Sequence, residues 1–388
     1  MYIIFIVLQL FMIYIFFKRN KLSLLNPIAI IIYFYILIYI FSPLIISLRD
    51  FNAINEVQFK LNTPVNQLLT NSLIMSTIYL GTFLLSIGKV NKIKWKNNMH
   101  QKIGIKYTLR LFILVVSIFM YVFYLLKDNL ASNILDLRTG NYEAGEFLSS
   151  LVHSIAFVAS GALPFIFTKN RTKKSIIIGL ASLFLSYALF ILIGDRSGLI
   201  YAFLIFIVIF SSVANKKVKI VDLLVYVLLI FFVLHLVTII RNSFLTGKVL
   251  DMTFLGQNTL IDTIYDSFNL VVYEYFILVI DLHNANNYIY GGSFLNNFTG
   301  VVPRFIWPEK PTVSSAVYLS EKYYHDASRG RPFTTLGEWY INFGWIGPLI
   351  GGLIFGRLVR FIYNKYYKNF RNINTTILVT ILLIMVLG

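Results

Sequence analysis

Two carboxylates occupy places in the sequence where they could perform acid–base chemistry. Glu338 lies in the run GEWYINFGWIG, residues 337 to 347, where an apolar segment begins. Charge is costly in lipid, so an acidic residue at such a place is a candidate for function. Asp195 lies in the short run GDRSG, residues 194 to 198. The structural alternatives are that Glu338 caps a helix N-terminus and that Asp195 is solvated or pairs with Arg196.

Cationic side chains accompany these carboxylates, in the GDRSG turn and in the long stretch 241 to 336. A guanidinium group is planar and permanently charged, which suits bidentate binding of phosphate, so the pattern indicates an anionic substrate. Three prolines stiffen the run VPRFIWPEKP, residues 302 to 311, and hold Trp307 beside two of the cations. The alternative is a rigid loop whose cations extend toward water. The cationic set consists of Arg196, Arg241, Arg304, Lys310, Arg329 and Arg331.

Several kinds of chemistry have no support in the sequence. The chain has no cysteine, which excludes disulfides, thiolate catalysis and iron–sulfur clusters. It also lacks a phosphate-binding P-loop, a dinucleotide fingerprint and a zinc-binding HExxH motif. The histidines His153, His235, His283 and His325 are scattered along the chain. We therefore predict no metal and no cofactor.

The elements that position these residues are predicted to be membrane-spanning helices. The chain has 388 residues, of which 57% are hydrophobic and 13% charged, whereas about 25% are charged in soluble proteins. Lipid offers no hydrogen-bond partners to the backbone, so long apolar runs must be helical there. The fold is predicted to be all-α, with about ten spans. These are residues 2 to 17, 27 to 48, 69 to 88, 107 to 126, 147 to 168, 175 to 193, 199 to 214, 220 to 240, 337 to 363 and 373 to 388.

Charge in the connections predicts the orientation. Every second connection is rich in lysine and arginine and has no acidic residue, which is typical of cytoplasmic loops and explains the net charge of +17 without nucleic acid. The alternation holds only if residues 268 to 282 do not cross the membrane, so we read that segment as a re-entrant or surface helix. Met1 and the stretch 241 to 336 then lie outside, and residues 1 to 388 form a single transmembrane domain. The last segment has no polar tail, so we expect the chain to be truncated or its relatives to continue with further helices.

The proline-rich run 303 to 311, the run 337 to 344 and the GDRSG turn together resemble the Wzy-type polymerases of O-antigen and capsule repeat units. The resemblance implies a fold of the membrane glycosyltransferase type. It implies that lipid-linked oligosaccharides, carried on a polyprenyl diphosphate, are joined at the outer face of the bacterial cytoplasmic membrane. Flippase and chain-length regulator proteins are the partners to be expected.

The resemblance also suggests roles for the candidate residues. Arg196, Arg241 and Arg304 would bind the diphosphate without a metal, with Lys310, Arg329 and Arg331 assisting. Glu338 would be the base for the acceptor hydroxyl, with Asp195 in reserve.

Two other functions stay open at this point. A flippase of lipid-linked oligosaccharides would also have many spans and cations, although the charges here lie in loops and no inverted repeat is visible. A transferase of the O-antigen ligase type would share topology and donor but use a histidine in the outer loop, for which His283 and His325 are available. An inert scaffold would leave the outer arginines unexplained.

Overall fold

A computed structural model describes most of the predicted helices and part of the loop between residues 241 and 336. The described residues are 2–22, 26–48, 61–90, 105–126, 145–169, 172–193, 196–213, 270–283, 288–294 and 334–364, together with Val225 and Phe232. Within these ranges the chain is helical and contains no strand, which confirms the all-α prediction.

The helices follow the apolar runs of the sequence closely. Each predicted span contains a described helix except 373 to 388, which lies outside the described residues, and 220 to 240, of which only Val225 and Phe232 are described. Helix α2 continues through a π-helical turn, Leu37–Phe41, into α3. The helices are α1 Tyr2–Asn20, α2 Pro27–Ile36, α3 Ser42–Leu48, α4 Val65–Ile87, α5 Ile105–Leu126, α6 Gly145–Lys169, α7 Lys173–Ile193, α8 Arg196–Val213, α9 Val271–Leu282, α10 Thr335–Phe343 and α11 Gly347–Ile362.

Four stretches of the described chain are long and apolar enough to cross a membrane. They are Tyr2–Asn20, Pro27–Leu48, Val65–Ile87 and Thr335–Ile362. Helix α4 shows how such a span is delimited by its sequence. It begins after Pro64, whose carbonyl accepts from Leu68 N at 3.1 Å. It ends at Gly88, whose φ of 62° is a left-handed conformation that suits glycine. The protein is therefore a polytopic helical membrane protein, as the sequence predicts.

The chain divides into two compact units. One comprises Met1–Lys21, Ile32–Asn91 and Asn269–Phe361, and the other Leu22–Ile31, Lys92–Phe268 and Ile362–Gly388. In the second unit α6 packs against α7 and α8, and α5 packs against α7. Small residues such as Ala156, Ala159 and Ala162 are fully buried on α6, which lets its neighbours approach closely. The prediction of a single transmembrane domain stays a prediction.

Hydrogen bonds donated by side chains join the helices of the first unit. The amide of Gln9 on α1 is fully buried, and its Nε2 donates to Ser76 Oγ and Thr77 Oγ1 of α4, both at 2.9 Å. The Tyr35 hydroxyl donates to the carbonyl oxygen of Ser76 at 2.6 Å. Polar contacts of this kind stabilise helix association where lipid removes the hydrophobic driving force.

Helix α9 is short and packs into the interior of the first unit. Its 12 residues extend about 18 Å, which is less than the roughly 30 Å of a bilayer core. Tyr273 and Phe276 are fully buried, and the Tyr273 hydroxyl lies 2.7 Å from Ser72 Oγ of α4. The Tyr39 ring meets both aromatic rings edge-on, at centroid distances of 6.1 and 6.5 Å. Its predicted role as a re-entrant or surface element of the outer loop stays a prediction.

Glycines on α11 permit close contact with α4, as expected from the sequence. A Cβ atom at Gly356 would lie 2.6 Å from the carbonyl oxygen of Phe83, and one at Gly352 would overlap Thr82 Oγ1. Phe355, between them, packs at 5.6 Å from the ring of Phe83. The two helices are therefore in backbone contact at positions where any side chain would separate them.

We predict opposite effects for the same substitution at two glycines. Gly356→Ala should lower the unfolding free energy by about 1–3 kcal/mol, because the new methyl group meets backbone. Gly81→Ala is the matched control, since among the described residues its Cβ would meet Met12 Sδ alone, at 3.9 Å. Removing a glycine from a helix interior should add about 0.5–1 kcal/mol there. Thermal unfolding of the detergent-solubilised protein measures both. Equal midpoints for the two variants would contradict the close contact.

Candidate functional site

Of the predicted site residues, Glu338 is the one whose side chain the structure describes. Helix α7 ends at Ile193 and α8 begins at Arg196, so Arg196, Ser197 and Gly198 are helical and not part of the predicted turn. The other candidates lie outside the described residues: Asp195, Arg241, Arg304, Trp307, Lys310, Arg329 and Arg331. The site is therefore built outward from Glu338.

Helix α10 places Glu338 in its first turn, but Glu338 is not its N-cap. The N-cap is Thr334, whose Oγ1 accepts from Gly337 N at 3.1 Å. A second anchor fixes the same turn, because Leu336 N donates to the Tyr39 hydroxyl at 3.3 Å. Thr334 and not Glu338 is therefore the N-cap. Glu338 lies in the first turn of α10, where the helix dipole favours an acidic side chain.

A short turn, residues 288 to 294, packs along the end of α10. Ile289 N donates to the carbonyl of Ile341 at 3.0 Å, and Tyr290 N donates to the carbonyl of Asn342 at 3.2 Å. These bonds satisfy carbonyls that the end of a helix would otherwise leave open. They also fix the position of the turn relative to Glu338.

The side chain of Asn342 orients the Glu338 carboxylate through Ser293. Its Oδ1 accepts from Gly291 N at 2.8 Å, which fixes the orientation of the amide. Its Nδ2 donates to Ser293 Oγ at 2.7 Å and to the carbonyl of Glu338 at 2.8 Å. Since the Ser293 oxygen already accepts, its single hydroxyl proton is donated to Glu338 Oε1, at 3.0 Å. We call this chain, Gly291 N–H to Asn342 to Ser293 to Glu338, the relay.

The relay is buried at its centre and half-buried at Glu338. Asn342 has no exposed surface and Ser293 is 2% exposed, whereas Glu338 is half-buried. A buried polar group is stable only with its hydrogen bonds made, so the relay holds one geometry. It presents Glu338 Oε1 as an acceptor on a rigid support, which is what a general base or a hydroxyl-binding group requires.

Aromatic rings pack around the relay. Trp339 lies 4.6 Å from Phe294 and 5.9 Å from Phe343, measured between ring centroids. Gly344, with a φ of 60°, leaves room for the Tyr288 ring, which a side chain at this position would overlap. These contacts brace the turn on both sides of Ser293.

Asp281 and His283, at the end of α9, have different surroundings. The two Asp281 oxygens accept from the backbone N–H groups of Asn62 and Thr63 at 2.8 and 2.9 Å, so this carboxylate anchors the chain before α4. His283 is 3% exposed, and its carbonyl accepts from the Tyr340 hydroxyl at 3.4 Å. Within the described part of the chain, no cluster of histidine and acidic residues is arranged to hold a metal ion.

Sequence reasoning missed Ser293 and Asn342 as site residues. Asn342 lies in the run 337 to 347, which the sequence singles out for Glu338, and Ser293 follows the glycine pair Gly291 and Gly292. A serine 45 residues from Glu338 carries no local signal of pairing. The sequence does predict a turn here, because the turn formers Gly291 and Gly292 directly precede Ser293.

Comparisons with known proteins bear on the whole chain. Residues 1–387 match the family of the O-antigen polysaccharide polymerase Wzy. Two relatives named O-antigen polymerase, from Salmonella typhimurium strain LT2 and Salmonella typhi, are each 26% identical over 200 residues. This alignment covers 50% of the chain and 45% of each relative, so the chain spans about half the length of these relatives. No solved structure matches. Because the family match extends over nearly every residue, the chain belongs to the O-antigen polysaccharide polymerase Wzy family.

Proposed function

We propose that the protein polymerises oligosaccharide repeat units carried on a polyprenyl diphosphate into O-antigen or capsular polysaccharide. The single observation that carries the proposal is the relay, which fixes a carboxylate as a hydrogen-bond acceptor at the end of a membrane helix. Family membership supports it, as do the two relatives named O-antigen polymerase. The reaction is a glycosyl transfer that requires neither a metal nor a cofactor.

The proposed step transfers a growing chain onto a new repeat unit. A hydroxyl oxygen of the acceptor sugar attacks the anomeric carbon of the lipid-linked donor, while its proton passes to Glu338. The bond between that carbon and the diphosphate oxygen breaks, and the diphosphate leaves with the electron pair. Cations stabilise the charge that develops on the leaving group.

The proposed cations are those named from the sequence. Arg196, Arg241 and Arg304 bind the diphosphate, and Lys310, Arg329 and Arg331 assist, with Trp307 beside the lipid or a sugar. Arg196 at the first residue of α8 adds a helix N-terminus, where an anion is favoured. Asp195 is the reserve base.

We place the reaction at the outer face of the bacterial cytoplasmic membrane. The basic connections, which are typical of the cytoplasmic side, put the opposite ends of the spans outside, and Glu338 with them. Flippase and chain-length regulator proteins are the expected partners. For a ligase-type transferase the sequence offered His283 and His325; His283 is buried at 3% exposure and unsuited to meet an acceptor, and His325 lies outside the described residues.

Purified protein in liposomes with a lipid-linked repeat unit tests the class of function. A polymerase lengthens the glycan, and each turnover releases polyprenyl diphosphate. Transfer of the repeat unit across the bilayer without lengthening would instead identify a flippase and overturn the proposal. Transfer to a lipid A acceptor alone would identify a ligase.

Glu338→Gln should abolish polymerisation without unfolding the protein. The glutamine oxygen can still accept from Ser293 Oγ, so the packing is kept, but an amide cannot take the acceptor proton. We expect the rate to fall by about 10²- to 10⁴-fold, with single repeat units accumulating on the lipid. Asp281→Asn is the contrast: it should lower the melting temperature, because the bonds to Asn62 and Thr63 weaken. Normal polymer from Glu338→Gln would show that Glu338 is not the base.

Ser293→Ala should reduce the rate by about tenfold, less than Glu338→Gln, because the base remains but loses its orienting bond. In the double variant the two effects should not add, since Ser293 acts only through Glu338. Rates from single and double variants in the liposome assay form the cycle. Additive losses would show that Ser293 acts independently of Glu338.

Arg304→Ala should leave the protein inserted and yield single repeat units in place of polymer. Removing one guanidinium that stabilises the diphosphate leaving group should lower the rate by about 10²- to 10³-fold, as the loss of one preorganised donor does. Arg357→Ala is the control, since this exposed arginine lies on α11 at the predicted cytoplasmic end. Gel analysis of chain length checks both variants, and unchanged polymer in Arg304→Ala would contradict the assignment.

A further inference from the structure

Tyr290 is held in a conformation that tyrosine rarely adopts. Its φ is 49°, and the following Gly291 has a φ of 91°. Left-handed backbone suits glycine and asparagine, whereas a bulky residue is strained there. Strain of this kind persists where the surroundings enforce it, and it clusters at functional sites.

The hydrogen bonds of the turn enforce the conformation of Tyr290. Its N–H donates to the carbonyl of Asn342 at 3.2 Å, and Gly292 N closes the turn on the carbonyl of Ile289 at 3.0 Å. Gly291 N, the next amide, donates to Asn342 Oδ1 at 2.8 Å and begins the relay to Glu338. The backbone of Tyr290 is therefore part of the same rigid assembly as the carboxylate.

The ring of Tyr290 projects outward from this assembly. The residue is 73% exposed, whereas the neighbouring Tyr288 is half-buried. One described contact of the exposed ring is edge-on, to Tyr288 at 6.3 Å, so Tyr288 supports it from the side. Packing of the protein interior does not account for a tyrosine at this strained position.

We propose that Tyr290 is a stacking platform for a sugar ring of the lipid-linked oligosaccharide. The apolar C–H face of a pyranose packs on an aromatic face, and its hydroxyls remain free for polar groups. Tyr290 lies three residues before Ser293 in the same rigid turn, so a sugar stacked on its ring would lie near the relay. The inference rests on the proposed function, because it assigns the ring to the substrate of Glu338.

A second explanation is that Tyr290 is an ordinary aromatic residue of the membrane interface, where tyrosine is common. An interfacial ring needs no strained backbone, and asparagine or glycine would relieve the strain. The two explanations therefore differ in what Tyr290→Asn does. Asparagine removes the ring but accepts the left-handed conformation, so the fold should be as stable as before or more stable.

The test is binding of two probes to the full chain in detergent. The first probe is the lipid-linked repeat unit that accumulates in cells lacking this polymerase, and the second is polyprenyl diphosphate without sugar. We expect wild type to bind the first probe more tightly. Tyr290→Asn should weaken binding of the first probe by about tenfold, as loss of one ring contact would, and leave the second unchanged. Tyr290→Phe should bind both probes within about twofold of wild type.

The proposal fails if Tyr290→Asn binds both probes like wild type, or if it loses affinity for both equally. A melting temperature checks that each variant is folded, and Tyr290→Gly repeats the test with a residue that also fits this backbone. Failure of the polymerase assignment is a different result: the wild type would not lengthen the glycan in liposomes, whether or not it binds the glycosylated probe. The proposal also fails if the wild type binds the two probes equally tightly.

Discussion

The arrangement around Glu338 depends on the side-chain amide of Asn342. This fully buried amide makes three hydrogen bonds, to a turn, to a serine and to the backbone of its own helix. Loss of one partner would leave a buried polar group unsatisfied, at a cost of about 1–3 kcal/mol. The Asn342 amide has one orientation, because its oxygen accepts from Gly291 N and its nitrogen must then donate to Ser293. Ser293 therefore has its proton left for one carboxylate, and no second arrangement satisfies all the groups equally well.

Packing in the membrane holds that network rigid. Trp339 is adjacent to Glu338 and meets Phe294 on one side and Gly351 on the other, where a Cβ atom would come within 2.6 Å of its ring. Gly352 and Gly356 continue the same helix into backbone contact with α4. Helix α11 thus contacts both α4, through Gly352 and Gly356, and Trp339 of α10, through Gly351. The turn that carries Ser293 packs on the same Trp339 through Phe294. A site on such a support keeps its geometry better than one on a free loop.

The sequence predicts the helices well, because in lipid each apolar run must satisfy its own backbone hydrogen bonds. It also makes Glu338 a candidate, because a carboxylate at the end of a membrane helix is costly; its role in the site stays a prediction. It does not predict that Thr334 takes the cap or that α2 passes into a π-turn, since these depend on competing local hydrogen bonds. The pairing of Ser293 with Asn342 is also invisible, because the two residues are 49 positions apart and neither is unusual alone. The predicted arginines lie outside the described residues, apart from Arg196 at the start of α8.

Asp281 and Glu338, two carboxylates of the first unit, show that the surroundings of a side chain, and not its type alone, decide its role. Asp281 has both oxygens bonded to backbone N–H groups, and these groups would lose their partners if the carboxylate took part in chemistry. Glu338 Oε1 instead accepts from a side-chain hydroxyl, that of Ser293, at 3.0 Å. The relay therefore supports a chemical role for Glu338 and a structural one for Asp281, although the sequence presents both as acids in apolar surroundings.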